Sequence, residues 1–182
     1  MTDLHAIEPV SIDRLAELCE IIDADYAIIE APRADAEVDA YADDVDLHRV
    51  LQTGIPHIAV HCDLSEDGDL LSIFATWEGT LAAVEEEAVA ATMAELNWAS
   101  VAPTVSYLVS GDEDDKAGAP GEIQLCANRA MAVGEGLSLG QLGHFLLSSL
   151  ASFAEIFDVI AERFPQAVTW NDSQEQETED KL

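Results

Sequence analysis

Few residues in this chain have types and spacings that could do chemistry, and the first such group is two histidines near an aspartate. His57 and His61 are four residues apart, and Asp63 follows His61 by two. The spacing resembles half of a zinc motif, but Ile58 stands where the helical motif needs a glutamate. The local alternation predicts a strand, on which residues four apart are separated by about 13 Å, too far to share one ion. We interpret these residues as surface polar groups and expect no metal or other cofactor; an ion shared by His61 and Asp63 is the alternative.

The three cysteines form a second candidate group. Cys19, Cys62 and Cys126 are odd in number, far apart in sequence, and placed in apolar segments. This pattern predicts buried reduced thiols rather than disulfides or catalytic nucleophiles. The first ten residues have no basic region followed by an apolar run. Together these features predict a cytoplasmic location.

Two further segments superficially resemble ligand-binding loops. Gly134, Gly136 and Gly140 lie just before a predicted helix, but their spacing departs from GxGxxG and no lysine follows. A helix-cap region is the preferred interpretation. The acidic residues 112–115 lack the spacing and terminal glutamate of a calcium-binding loop, which indicates a solvated loop. We therefore predict no catalytic residues and no enzymatic activity.

The charge of the chain is extreme. Its 182 residues include 37 acidic and 7 basic side chains, for a formal charge of −30. Such a charge disfavours direct binding to nucleic acid or to an anionic membrane, because like charges repel. Three explanations stay open: a solubilising surface, an adaptation to salt, and an acidic surface for a cationic or nucleic-acid-binding partner. The length predicts one domain over residues 1–170, followed by a charged disordered tail over residues 171–182.

The elements that must position these residues are led by a long amphipathic helix over residues 137–165. Ser138 and Gln141 form a capping box at its start, and Pro165 ends it. Residues 136–154 carry no charge and are long enough to cross a membrane, but their polar side chains and amphipathic pattern favour a core helix of a soluble protein. Four residues widen its apolar sector and predict contact with a second surface: Phe145, Leu147, Ile156 and Val159.

The remaining elements follow from periodicity and turn signals. Thr80 is predicted to cap the middle helix and Asn97 to end it. An Asp67-Gly68 turn joins two predicted strands into a hairpin. The predicted segments are a helix over 11–23, a strand over 26–31, an acidic insertion over 32–54 with a helical turn near 47–51, strands over 55–64 and 70–77, a helix over 80–96, and strands over 98–109 and 122–133.

The resulting fold class is α+β, an antiparallel sheet packed with helices in the order α-β-β-β-α-β-β-α. The strand over 70–77 carries large apolar residues on both faces, with Leu70 and Phe74 on one of them. A sheet of this kind is expected to be covered on both sides, by helices or by another subunit.

The C-terminal half resembles the YbjN family of bacterial proteins over residues 80–165. The residues that carry the resemblance are Leu96-Asn97-Trp98, Gly136-Leu137-Ser138, Gln141-Leu142, Phe153, Phe157 and Phe164-Pro165. The resemblance implies a fold similar to the chaperones of type III secretion, which are small acidic α+β proteins that dimerise and hold a partner polypeptide. The family is labelled as sensory transduction regulators, and the resemblance transfers no catalytic residue.

Three functional hypotheses follow. The first is a homodimeric, chaperone-like or regulatory module that binds a protein of unknown identity. The second is an acidic decoy for a nucleic-acid-binding protein, suggested by the charge of −30. The third is an enzyme with a small-molecule or metal site at His57, His61 and Asp63. The candidate interface residues of the first hypothesis are Leu70, Phe74, Phe145, Leu147, Ile156 and Val159.

Overall fold

A six-stranded antiparallel sheet and three helices make up the part of the chain that the structure, a computed structural model, describes: residues 5–32, 47–110, 121–168 and Trp170. The elements are α1 (Ile12–Ile21), β1 (Ala27–Pro32), β2 (Leu47–Ile55), β3 (Ile58–Leu64), β4 (Leu70–Ala82), α2 (Glu86–Ala99), β5 (Thr104–Ser110), β6 (Glu122–Ala132) and α3 (Leu139–Arg163). Two 3-10 turns, Ala83–Glu85 and Pro165–Ala167, precede α2 and follow α3. The α+β class expected from the sequence is confirmed.

Four strands, not three, precede the middle helix. The additional strand is β2, which lies where the sequence predicted an insertion with a helical turn, so the helical turn was wrong. β2 pairs with β1 on one side and β3 on the other, and its Val50 and Leu51 are buried. The extended conformation of β2 is stabilised because the strand is hydrogen-bonded on both sides and because two of its side chains are buried. Residues 33–46 of the predicted insertion, the loop over 111–120 and the predicted tail lie outside the described residues.

The strand order in the sheet is β1-β2-β3-β4-β6-β5, and every neighbouring pair is antiparallel. β6 lies between β4 and β5, so β5 forms one edge of the sheet. The chain leaves β4, passes through α2 and enters the sheet again at this edge. α2 is therefore held beside an edge strand rather than over the middle of the sheet.

The core lies on one face of the sheet. Along β4 the buried residues alternate with more exposed ones, and Leu71, Ile73 and Trp77 share a single hydrophobic cluster with residues from all three helices. Leu70 and Phe74 point to the other face and are exposed. The sequence predicted that both faces of this strand are covered. Within this protomer, the face that carries Leu70 and Phe74 is exposed at these two residues. We call the side of β4 that carries Leu70 and Phe74 the open sheet face.

The long helix α3 begins as the sequence predicted. The Ser138 hydroxyl accepts a hydrogen bond from the Gln141 amide at 3.2 Å, and the Gln141 side-chain oxygen accepts one from the Ser138 amide at 2.9 Å. The capping box is thus confirmed, and Phe153 and Phe157 lie fully inside the core. Within the described residues, α3 is the one helix long and apolar enough to span a bilayer.

The predicted boundaries of the middle helix were wrong at both ends. Thr80 does not cap it, because β4 continues to Ala82 through pairing of Thr80 and Leu81 with β6. The helix then runs on to Ala99, so the strand predicted from residue 98 begins at Thr104 instead. Pairing with a strand more than forty residues away is a non-local interaction, and local propensity does not reveal it.

A β-bulge in β4 positions the indole of Trp77, the largest aromatic side chain in the core. Thr76 pairs with Cys126 and Thr80 with Gln124, so Trp77, Glu78 and Gly79 lie opposite a single residue of β6. A Cβ atom on Gly79 would stand 2.5 Å from Cζ3 of Trp77. The bulge therefore needs glycine at this position, because the indole lies directly across its backbone.

Candidate interaction surface

The most exposed large apolar side chains in the described part of the chain lie in the last turn of α2 and in the segments on either side of this helix. Trp98 is 94% exposed and Val84 is 90% exposed. Val101, in the loop after α2, is also fully exposed. Between them, one side of α2 presents only small apolar and acidic residues to solvent. We define the outer α2 face as Val84, Ala88, Ala91, Ala94 and Trp98, all of them exposed.

The opposite side of α2 explains why this face points outward. Val89, Met93 and Leu96 are buried at spacings of four and three residues, which places them on one helical face against the core. Asn97 fixes the end of the helix to β5. Its side-chain amide donates to the Val105 carbonyl at 2.9 Å and accepts from the Val105 amide at 2.8 Å. The predicted role of Asn97 as a C-cap was therefore wrong, because Ser100 takes that position.

Two glutamates flank the outer α2 face. Both Glu95 carboxylate oxygens accept hydrogen bonds from Arg163 at 2.8 Å, and this pairing lowers the pKa of Glu95. Glu87, two turns earlier, is exposed. The C-terminal half of the outer α2 face is therefore bordered by a neutralised ion pair, and the N-terminal half by a carboxylate.

Leu70 and Phe74, two of the interface residues predicted from sequence, lie on the open sheet face. Leu70 pairs with Ala132, and Phe74 lies between His61 and Asn128 in the sheet register. Their exposed side chains are thus surrounded by small and polar neighbours. They form a limited apolar surface separate from the outer α2 face.

The four residues predicted on the long helix do not form one surface. Phe145 and Ile156 are buried in the core of this protomer. Leu147 is 49% exposed and Val159 is 37% exposed. These two are twelve residues apart and therefore point about 120° from each other around the helix axis. An interface role for these four residues stays a prediction, and the exposed surface that supports it is small.

The outer α2 face itself was missed by sequence reasoning. Positions 84, 88, 91 and 98 recur at helical spacing, which is the signal that could have revealed it. The signal was hidden because Trp98 was assigned to a strand. A helix whose outer face is rich in alanine also lacks the strong contrast between faces on which pattern recognition depends.

The structure does not bring His57, His61 and Asp63 together. His57 lies in the turn between β2 and β3, where its Nδ1 is 2.7 Å from Oε2 of Glu78 and its ring stacks on Trp170. His61 lies on β3 beside Phe74. No group of three or more His, Cys, Asp or Glu side chains within the described ranges could hold a metal ion.

Asp63 has a different partner, which sequence reasoning missed. Its Oδ1 lies 2.7 Å from Nε2 of His48 on β2. The distance is that of an ion pair, but the angles do not meet hydrogen-bond geometry, and neither atom has an aligned partner. His48 was placed in the predicted insertion, so its position on a strand could not be anticipated.

The cysteines are confirmed as free, buried thiols. Burial raises the pKa of all three, and that of Cys62 reaches about 12. A thiol with so high a pKa is protonated at neutral pH and is a poor nucleophile. The glycine-rich segment leads into the capping box of α3, as interpreted from the sequence.

Comparison with known proteins identifies a structural neighbour. No family model matches the chain, and no curated protein matches it. The crystal structure of YbjN from E. coli superposes with a TM-score of 0.55 at 13% sequence identity, over 87% of this chain and 96% of that one. The two proteins therefore share a fold, and the YbjN-like architecture expected from the sequence is confirmed.

Proposed function

We propose that this chain, whose fold is YbjN-like, is a non-enzymatic protein-interaction module that forms a homodimer through the outer α2 face. The observation that carries the proposal is the near-complete exposure of Trp98 and Val84 on that face. Tryptophan is enriched among the residues that dominate binding energy in protein interfaces. Two large apolar groups exposed on one side of α2 and of the 3-10 turn before it favour burial against another surface.

The outer α2 face is complementary to itself. Val84 and Trp98 are each seven residues from Ala91, and Ala88 and Ala94 are each three residues from it. A two-fold axis through Ala91 would place Trp98 of one protomer against Val84 of its partner, with alanines meeting in the middle. Symmetric dimers use the same patch on both subunits, and small central residues allow helices to approach closely.

The charges on this face are compatible with the same arrangement. Glu87 and Glu95 are each four residues from Ala91, so the symmetry would bring Glu87 of one protomer towards Glu95 of its partner. Two bare carboxylates would repel each other. Arg163 already pairs with Glu95 at 2.8 Å, so Glu87 would approach a neutralised group.

The proposed protein partner would bind the open sheet face through Leu70 and Phe74, which the α2 pairing leaves uncovered. YbjN from E. coli is described as a candidate transcription regulator. With a charge of −30, direct contact with nucleic acid is disfavoured, so a regulatory role for this chain would act through a protein. The three reduced thiols support the proposed cytoplasmic location.

A mass measurement tests the dimer. We expect light scattering after size exclusion to give a dimer mass at micromolar concentration, Ala91→Arg to give a monomer, and Trp98→Ala to weaken association about 30-fold. Ala151→Arg adds the same charge to an exposed position of α3 and should leave the dimer intact. A monomeric wild-type protein would refute the dimer. Dissociation by Phe74→Asp but not by Ala91→Arg would move the interface to the open sheet face.

The acidic decoy is the second candidate, favoured by the charge of −30. It predicts that capture of a basic, nucleic-acid-binding protein weakens as salt screens the charges. Capture through Leu70 and Phe74 should instead persist in salt and be lost in Phe74→Asp. The two outcomes separate the candidates.

A further inference from the structure

A cavity of about 560 Å³ opens between β6 and the first turns of α3. Apolar side chains, polar side chains and one arginine share its lining. Among them are Arg129, Met131, Leu137, His144, Phe145 and Ser148.

Arg129 differs from the other arginines that the structure describes. Arg14, Arg49 and Arg163 each contact a carboxylate, at 3.6, 2.7 and 2.8 Å. Arg129 instead donates one hydrogen bond to the Ser148 hydroxyl at 3.1 Å and lies 5.2 Å from the centre of the Phe145 ring. A guanidinium group has five N–H donors, so most of those on Arg129 are free to bind a ligand.

The position of Arg129 in the fold makes the lack of a described carboxylate partner unusual. Arg129 is paired with the fully buried Ile73 in the sheet register and is itself partly buried. A cation taken partly out of water loses hydration, and a counter-ion restores the lost interaction. The chain carries 37 acidic side chains, yet no described carboxylate contacts the guanidinium of Arg129. The planar fork of an arginine binds a carboxylate through two parallel hydrogen bonds.

The start of α3 contributes part of the lining, and the capping box engages two of its amide groups, those of Ser138 and Gln141. The guanidinium of Arg129 is the arginine group in the lining and the donor on which the anion site is based.

We propose that this cavity binds a small carboxylic acid with an apolar body. The carboxylate pairs with the guanidinium of Arg129, and the body packs against Met131, Leu137 and Phe145. His144 lies at the rim as a further polar group. A singly charged carboxylate suits the site better than phosphate, because the charge of −30 repels a dianion more strongly. The site goes beyond the proposed dimer and does not depend on it.

Titration of the wild-type protein with hexanoate, followed by amide chemical shifts in NMR spectra, tests the proposal. Hexan-1-ol has the same body without the charge, and inorganic phosphate has charge without the body. We expect hexanoate to shift the amides of Arg129, Phe145 and Ser148 in a saturable way below about 10 mM, as a Kd near 1 mM allows. Hexan-1-ol and phosphate should cause little change.

Two variants test the role of the guanidinium. Arg129→Gln should weaken hexanoate binding about tenfold or more, and Arg129→Lys should retain part of it, since the charge stays but the fork is lost. Arg49→Gln removes the same charge elsewhere and should bind as the wild type does. If Arg129→Gln does not fold, the wild-type titration still decides the matter. Absent or dispersed shifts, equal binding of hexan-1-ol or phosphate, or full binding by Arg129→Gln would each overturn the proposal.

Discussion

His57 stacks on Trp170, with ring centroids 4.1 Å apart and planes 9° from parallel. Trp170 and Trp77 form a T-shaped pair with ring centroids 5.6 Å apart, and Trp77 stacks on Phe157 of α3 with centroids 6.0 Å apart. Four rings therefore connect the turn between β2 and β3, the C-terminal segment, the bulge of β4 and the core helix. Trp170 contacts two of the other three rings and holds the C-terminal segment against the sheet.

Trp170→Ala is expected to lower the free energy of unfolding by about 1–2 kcal/mol, because it removes two aromatic contacts. Urea denaturation followed by circular dichroism measures this loss, which should not depend on protein concentration. Trp98→Ala is the matched control. Its effect should appear only at concentrations where the wild type is a dimer, since it acts through association. Equal losses from both variants at low concentration would contradict this division of roles.

Gly79→Ala should cost about 1–3 kcal/mol of stability, because its Cβ would stand 2.5 Å from the rigid Trp77 ring. The bulge would have to shift or the indole would have to leave its core position. The matched test is the same substitution in a Trp77→Leu background, where the obstacle is gone. There the added cost of Gly79→Ala should largely disappear, and an unchanged cost would place the strain in the backbone instead.

Ser138→Ala should destabilise the protein by about 1 kcal/mol, the usual effect of losing an N-cap. The substitution leaves the Gln141 amide without its acceptor. Ser152→Ala, within the same helix, should change stability by less than about 0.5 kcal/mol, since its hydroxyl bonds only to the preceding turn. Thermal unfolding of the two variants side by side gives the comparison.

The thiols predict a particular dependence on pH. Burial raises the pKa of Cys62 from 9.0 to about 12, so the native state keeps a proton that the unfolded state releases near pH 9. Because the unfolded state then binds fewer protons, stability should be constant near neutral pH and fall as pH rises above about 9. Cys62→Ala should flatten this fall. A thiol reagent at pH 8 should label none of the cysteines in the native protein and all of them in denaturant.

The parts of the fold that could be predicted from sequence are those fixed by neighbouring residues. The capping box of Ser138 and Gln141 and the Asp67-Gly68 turn are both present because each depends on a few adjacent groups. β2 was missed because it begins within a segment interpreted as an acidic insertion, although it pairs with β3 directly after it. The end of β4 was missed because it is fixed by pairing with the distant strand β6. Leu81, for example, is extended because it pairs with Ile123.

The candidate surface was harder to predict than the fold. Phe145 and Leu147 are both large and apolar but lie about 200° apart around the helix axis, and the packing of α3 against the sheet decides that Phe145 is the buried one. Arg129 lies among alternating strand residues, and nothing adjacent in sequence shows that it lacks an acidic partner. Exposure and counter-ions are properties of tertiary contacts.

Asn97 has a consequence for aggregation. β5 is an edge strand, and edge strands offer unpaired backbone groups on which another chain can add a strand. The Asn97 side chain occupies both the amide and the carbonyl of Val105 at the start of that edge. A foreign strand would have to displace two hydrogen bonds to begin pairing there, so this end of the sheet is protected against fibril-like growth.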